Sequence, residues 1–414
     1  MKIAVGLIER AQAFDVELAG RFTDADGKTY PSGRYHFTTE MALAPSDPMS
    51  CSFAMENVTI GIGFHWERKE RQAFRGGLRI IQRDGLTIIN DVDLEDYVAS
   101  VISSEMSASC PEELLKAHVV ISRSWLLASQ DGVPSGEGRR NGEIVRWYGR
   151  EAHRDFIVCA DDHCQRYQGI TKAFSPAASA AVKATAGQML LYEGSICDAR
   201  FSKCCGGLTE DYRAAWDDRD VPYLVSFYDG PGRKPPSTGA EDAEKWIRSS
   251  PHAYCNTNDA ALLAQILPGF DQETRDFYRW KVEYAAGELA DLIKLKTGLD
   301  LGPISSLEPL ERGNSGRIVR LRISGARDSV VIGKELEIRR ALSQSHLYSS
   351  AFVVDREADR FILRGAGWGH GVGLCQIGAA VMASQGRGYE GILAHYYPGS
   401  TVGVVPPVPV GAGL

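Results

Sequence analysis

From Asp93 to Ala128 the chain alternates between a striped pattern and a solid apolar one, and the rest of the sequence is arranged around this stretch. Leu94, Val98, Val101 and Glu105 fall at helical spacing, which predicts a helix whose apolar stripe ends in a carboxylate. Asp93 stands where an N-cap belongs, with Asp96 near the positive helix end, and Glu95 and Asp96 lie off the stripe as solvated residues. A second helix follows, with Ser109 or Cys110 as its cap and Pro111 as its first residue. From Leu114 to Ala128 it is apolar almost all round and should be buried, apart from Lys116 and Arg123 on one side. Two such cations require an anion, a hydrogen-bonded ligand or a route to water along their own stems.

Before this stretch the pattern is β: KIAVGLIE, FDVEL, a short piece around Tyr35 to Phe37, VTIGIGFHW, GGLRIIQRD and LTIINDVD. The charged residues after VTIGIGFHW read as a solvated hairpin end. After the second helix, residues 130–143 read as a polar loop and 177–211 as a helix, a strand pair turning near Glu193-Gly194 and a Gly-Gly turn. Residues 230–250, rich in Pro, Gly and Ser, read as a linker. Helical periodicity returns at 260–266, 286–296 and ELEIRRALS, and residues 317–323 alternate as a strand. AFVVDREADRFILRGAG reads as a hairpin turning at Glu357-Ala358, and GVGLCQIGAAVMASQG as a helix after a Gly-rich turn. The fold class expected is α+β, with a β-rich part at 1–91, a core at 92–230, an insertion at 231–310 and a closing part at 311–405.

Charge narrows the function. A net charge of -7 over 414 residues argues against nucleic acid or an anionic membrane as the main partner. No apolar run approaches a membrane span, and MKIAVGLIERAQAF does not read as a secretory signal. The chain is then cytoplasmic, or exported with a leader that this sequence lacks. Nine cysteines, an odd number with Cys204 and Cys205 adjacent, make a poor disulfide framework; reduced thiols or a metal site fit better. Scattered ones such as Cys51, Cys197 and Cys255 read as small buried residues.

Candidate chemistry lies in three places. Glu105 on an apolar stripe is either a helix-end residue reaching water or a carboxyl partly removed from it, which would hold its proton more tightly, as a general acid at neutral pH must. His153, Cys159, His163 and Cys164 lie within a dozen residues and mix ligands suited to zinc, although the spacing is not that of a zinc finger. GAGWGHGVG contains a GxGxxG pattern but lacks the strand-turn-helix and acidic residue of a dinucleotide site; no organic cofactor is expected. Its glycines instead let backbone approach a ligand closely ahead of a helix N-terminus. His370 at its centre is either a structural histidine or a groove residue.

The runs SSEM, PEELLKAH and SRSW, then HCQRYQG, then GAGWGHGVGLCQIGAAVMASQG with HYYPG, resemble the signatures of the SpoIID/LytB family of sporulation proteins and amidase enhancers. Ser107, His118 and Cys375 depart from the family's usual Pro, Gln and Ser. The resemblance implies cleavage of peptidoglycan glycan strands by a lytic transglycosylase with Glu105 as its single acid and base. It implies substrate contacts at Lys116, Arg123, Ser202, Tyr223, Asp229, His370 and Gln376, so that Arg123→Ala should spare the fold and weaken glycan binding. It also implies a structural zinc on His153, Cys159, His163 and Cys164. Two alternatives stand beside this: a non-catalytic glycan-binding enhancer of a partner cell-wall amidase, and a metal-dependent hydrolase built on the His/Cys set.

Overall fold

A computed structural model describes residues 1–62, 67–106, 109–128, 136–138, 143–148, 153–161, 163–171, 176–232, 240–267 and 276–405. Strands and helices are mixed throughout, with the N-terminal region rich in strands, so the α+β expectation holds. The chain forms two compact units. The first comprises Met1–Leu127, Ala152–Met189 and Gly403–Leu414, the second Ala128–Glu151 and Leu190–Val402. Residue 91, where the expected β-rich part ends, lies inside the strand Gly85–Asp93.

In the first unit, Gly85–Asp93 runs antiparallel between Lys2–Ala11 and Gly77–Arg83. Leu86 through Asn90 are buried without alternation, as an interior strand covered on both faces requires. The sheet continues through Met41–Pro45, Phe22–Thr23 and Thr29–Tyr30, and Val158–Cys159 adds in parallel to its other edge. A second sheet pairs Phe14–Ala19 with Gly33–Phe37 and Ser52–Ile60, and the last with Arg68–Arg75. Here Phe14–Ala19 alternates, with Val16 and Leu18 inward, as a half-buried strand should. Residues 63–66 of VTIGIGFHW lie outside the described residues.

Strand Gly85–Asp93 delivers the chain directly into helix α1, Leu94–Glu105. Asp93 caps it, its side chain accepting from the Glu95 amide at 3.0 Å. Helix α2, Glu112–Leu127, begins as the Leu115 amide donates to the Pro111 carbonyl, and α3, Pro176–Ala184, packs with both. All four stripe residues of α1 are buried, but so are Tyr97, Ala99, Ser100, Ile102 and Ser104; α1 is enclosed by the strands and helices around it rather than lying half in water.

The second unit has a five-stranded sheet, Gly136–Gly138, Ile144–Trp147, Ser329–Gly333, Ile318–Gly325 and Ile304–Arg312, and a three-stranded one in which Arg360–Ala366 is central. The hairpin Phe352–Glu357/Arg360–Ala366 is as expected, with Glu357 opposite Arg360 and Ala358 at positive φ in the turn. Their shared core is built on Trp280, Leu289, Ile293, Leu321, Phe352 and Leu363. Two elements depart from the sequence reading. Ile304–Arg312 is a strand whose pairing breaks at three points, so its burial never settles into period two. The expected linker contains a helix, Ala240–Arg248, anchored by Ile247 against Ala351, Val353 and Ala366. Residues 233–239 lie outside the described residues.

Candidate functional site

Glu105 ends α1, and only 9 % of its surface is exposed. Its Oε1 accepts from the Arg166 amide at 3.1 Å. That amide belongs to the HCQRYQG segment, which is fastened from three directions. Gln165 accepts from the Tyr97 hydroxyl on α1 at 3.2 Å and donates to the Ser122 carbonyl on α2 at 3.4 Å. The Tyr167 hydroxyl donates to Asn90 Oδ1 at 2.6 Å, and its ring stacks on Tyr97. Gly169 has φ +58°, and a Cβ there would stand 2.2 Å from the Ala73 carbonyl oxygen, so the segment's last turn admits glycine alone.

The same segment contributes His163 and Cys164 to the expected metal set. The ligand atoms of His153, Cys159, His163 and Cys164 lie within 4.8 Å of one another. His153 Nε2 is 3.3 Å and His163 Nδ1 3.5 Å from Cys164 Sγ, while Cys159 Sγ lies 3.9 Å from His163 Nδ1. Hydrogen bonding, first with Cys164 and then with the histidines, holds the Cys159 thiol well below its usual range despite burial. Two imidazoles and two thiols converging on one point form a donor set that fits tetrahedral zinc.

Arg123 is fully buried, and its guanidinium is engaged within the helices. Nε and Nη2 grip the Glu95 carboxylate at 3.1 and 2.7 Å, while Nη1 donates to the carbonyls of Thr185 and Gln188 at 3.0 and 2.8 Å. This corrects two expectations. Glu95 is an ion-pair partner rather than a merely solvated residue, and Arg123 locks the helices together instead of facing a groove. Lys116 remains half-buried, bonded to Glu112 at 2.7 Å and Glu113 at 2.8 Å on its own helix. Those bonds push its pKa up.

In the second unit the Gly-rich turn is held from beneath by Arg317, which is 1 % exposed. Its Nε donates to the Gly369 carbonyl at 3.1 Å, and a Cβ on Gly371 would stand 2.4 Å from the guanidinium. Glu210 binds the turn from the side through its amide, which donates to the Gly371 carbonyl, while its carboxylate takes the Ser315 hydroxyl at 2.6 Å. His370 Nδ1 accepts from the Val372 amide at 3.0 Å, which puts the imidazole proton on Nε2. Burial, then Arg200 and Arg317, push its pKa well down, so the ring stays neutral and Nε2–H is a donor. Its edge meets the Trp216 ring, over which Arg200 lies at 4.4 Å.

Strand Phe201–Ser202 pairs in parallel with Leu374–Cys375, which brings Ser202 beside the turn: a Cβ on Gly369 would meet the Ser202 Cβ at 3.1 Å. Gln376, 4 % exposed, begins the following helix, Gln376–Ser384. Tyr223 is half-buried, its hydroxyl accepting from the Asp198 amide at 3.0 Å, and burial pushes its pKa up to about 12. Asp229 corrects the expectation of a groove carboxylate. It is fully buried, with Oδ1 3.0 Å from both His395 Nε2 and the Tyr396 hydroxyl.

Residues 82–192 match the family model described as Stage II sporulation protein. This stretch is similar to the SpoIID domain. Residues 210–373 match a domain of unknown function, DUF8618. The Stage II sporulation protein D of Bacillus amyloliquefaciens is 25% identical over 315 residues, 75% of this chain and 74% of that protein. That of Bacillus subtilis is 25% identical over 317 residues, 76% of this chain and 75% of its own. An amidase enhancer of Bacillus subtilis is 25% identical over 240 residues, 54% of this chain and 32% of that protein. The resemblance read from SSEM, PEELLKAH and HCQRYQG is therefore borne out.

The matched SpoIID region holds Glu105, Lys116, Arg123 and the His/Cys set, whereas Tyr223, Asp229 and His370 fall in the second matched region. Sequence reasoning missed Glu95, Gln165, Arg317 and Glu210. Of these only Gln165 carried a signal, its place between Cys164 and Tyr167 in the HCQRYQG run. Among the described residues no helix is long and apolar enough to cross a membrane.

Proposed function

We propose that this chain cleaves peptidoglycan glycan strands as a lytic transglycosylase, with Glu105 as its single acid and base. The observation that carries this reading is the buried Glu105 carboxylate, which accepts from the Arg166 amide at the end of a capped helix within the matched SpoIID region. As an acid, its proton passes to the glycosidic oxygen as the bond to the sugar's C1 breaks. As a base, the same carboxylate then takes the proton of the muramyl 6-hydroxyl while that oxygen closes on C1, giving a 1,6-anhydro end. One carboxyl suffices because no water needs activation; hydrolysis requires a matched pair. Mass spectrometry of products from purified glycan strands tests this: anhydro ends are expected, and reducing ends would mean a hydrolase.

His153, Cys159, His163 and Cys164 would hold a zinc whose role is to fix the HCQRYQG segment, and with it the Arg166 amide on Glu105. Four protein ligands leave no open position for hydrolytic chemistry. Cys159→Ser is expected to lower the unfolding midpoint more than it lowers turnover by the folded fraction. Freshly purified protein devoid of transition metal would remove the site.

His370 is held between the Val372 amide and the Phe201 backbone beside Trp216, and would meet a sugar through its ring rather than through a spare N–H. His370→Ala should leave the circular dichroism spectrum unchanged and weaken glycan binding or turnover about tenfold, or about 1.4 kcal/mol. Wild-type affinity and rate in this variant would return His370 to a purely structural role. The second reading, a glycan-binding enhancer of a partner amidase, draws on the name of the Bacillus subtilis relative. Equal glycan binding without any cleavage would favour it.

A further inference from the structure

Cys255 and Cys375 have no evident partners in the sequence, yet the second unit gathers them with Cys205 and Asp229 into one fully buried cluster. Their three sulfurs and one carboxylate oxygen all lie within 4.8 Å of one another. Cys205 Sγ stands 3.6 Å from Cys255 Sγ and 3.1 Å from Asp229 Oδ2. Two thiolates on one tetrahedral zinc, each about 2.3 Å from it, stand about 3.8 Å apart, so the observed sulfur spacing is that of co-ligands. A disulfide would need the sulfurs near 2.05 Å, roughly half the distance seen.

The surroundings are organised around each donor. Asp229 Oδ1 is occupied by His395 Nε2 and the Tyr396 hydroxyl, which fixes the carboxylate plane and leaves Oδ2 pointing at the sulfurs. Cys375 caps the helix Gln376–Ser384, and its sulfur accepts from the amides of Gly378 at 3.4 Å and Cys205 at 3.2 Å. Gly378 is required by this arrangement: a Cβ there would lie 2.3 Å from the Tyr396 hydroxyl and 2.6 Å from Asp229 Oδ2. Asp229 Oδ2 takes its hydrogen bond from the Cys205 thiol, a weak donor for a fully buried carboxylate, and such burial is costly.

We propose that Cys205, Cys255, Cys375 and Asp229 form a second zinc site, closed and structural, in the second unit. Sulfur-rich ligation with one hard oxygen suits zinc, and His395 and Tyr396 are its outer partners. The ion would tie together the Gly-Gly turn, the 251–256 loop and the helix after the Gly-rich turn. The proposal stands independently of glycan cleavage.

The test is elemental analysis of the full chain purified without chelator, alone and in two variants. With both sites filled, wild type should carry about two zinc ions per chain, Cys255→Ser about one, and the double variant His153→Ala with Cys159→Ser about one. If the first site is empty, Cys255→Ser should still contain one ion fewer than wild type. Should Cys255→Ser fail to fold, the wild type and the double variant reloaded with cobalt decide. Thiolate-to-cobalt charge-transfer absorption that persists in the double variant supports the site. A folded double variant free of zinc and of cobalt absorption overturns it. So does peptide mapping that finds Cys205 and Cys255 joined as a disulfide.

Discussion

Glu105→Gln is expected to reduce glycan-strand cleavage at least about a hundredfold while leaving fold and glycan binding unchanged, because a positioned general acid and base contributes about 10²–10⁴ in rate. The substitution is chosen for what it preserves. Gln keeps an oxygen at the Oε1 position, so the Arg166 amide retains its acceptor and the HCQRYQG segment stays in place. Only the capacity to give and retake a proton is lost. Glu105→Ala is the poorer probe, since it would strand a buried amide at about 1–3 kcal/mol and confuse instability with chemistry. Rates on purified strands, product masses and circular dichroism are the measurements. If Glu105→Gln cleaves as fast as wild type, the acid lies elsewhere. If wild type produces reducing ends, a second carboxylate must be found. Asp229 cannot supply it, being fully buried against His395 and Tyr396.

What the sequence made legible was local. The stripe through Leu94, Val98, Val101 and Glu105, the Asp93 cap and the turn beside Ala358 each depend on residues a few positions apart, where period and turn chemistry decide the outcome. The site around Glu105 was legible through its motifs, which placed the carboxylate but not the amide that holds it. The misses are long-range. Nothing near Arg123 announces Glu95, which is 28 residues away, or the carbonyl of Gln188, 65 away. Cys255 looked like filler because Cys205 is 50 residues away, and the chain must fold before their sulfurs meet. The helix Ala240–Arg248 was hidden by the Pro- and Gly-rich residues preceding it, and Ile247 is its buried anchor. Side chains that satisfy one another across the fold leave no period in the sequence.

Arg123→Met is expected to destabilise the first unit by about 3 kcal/mol, near the lower end of the ~3–5 kcal/mol range for breaking a buried ion pair. The lower end applies because the Glu95 side chain is 36% exposed and can turn to water when its partner is removed. The carbonyls of Thr185 and Gln188 lose a charged donor as well, although the Thr185 carbonyl keeps the Gln188 amide at 3.0 Å. Met fills the channel left by the aliphatic stem, so the effect reports lost polar contacts rather than a cavity. Arg123→Lys should fall between, since an ammonium is a point charge that cannot grip a carboxylate and two carbonyls with one planar fork. Denaturant unfolding measures the shift. At low temperature, where the variant stays folded, its glycan affinity should match wild type. A tenfold loss of affinity with unchanged stability would reverse the assignment and return Arg123 to the substrate groove. The geometry points the other way: a side chain with no exposed surface and both guanidinium amino groups engaged has nothing left to offer a sugar.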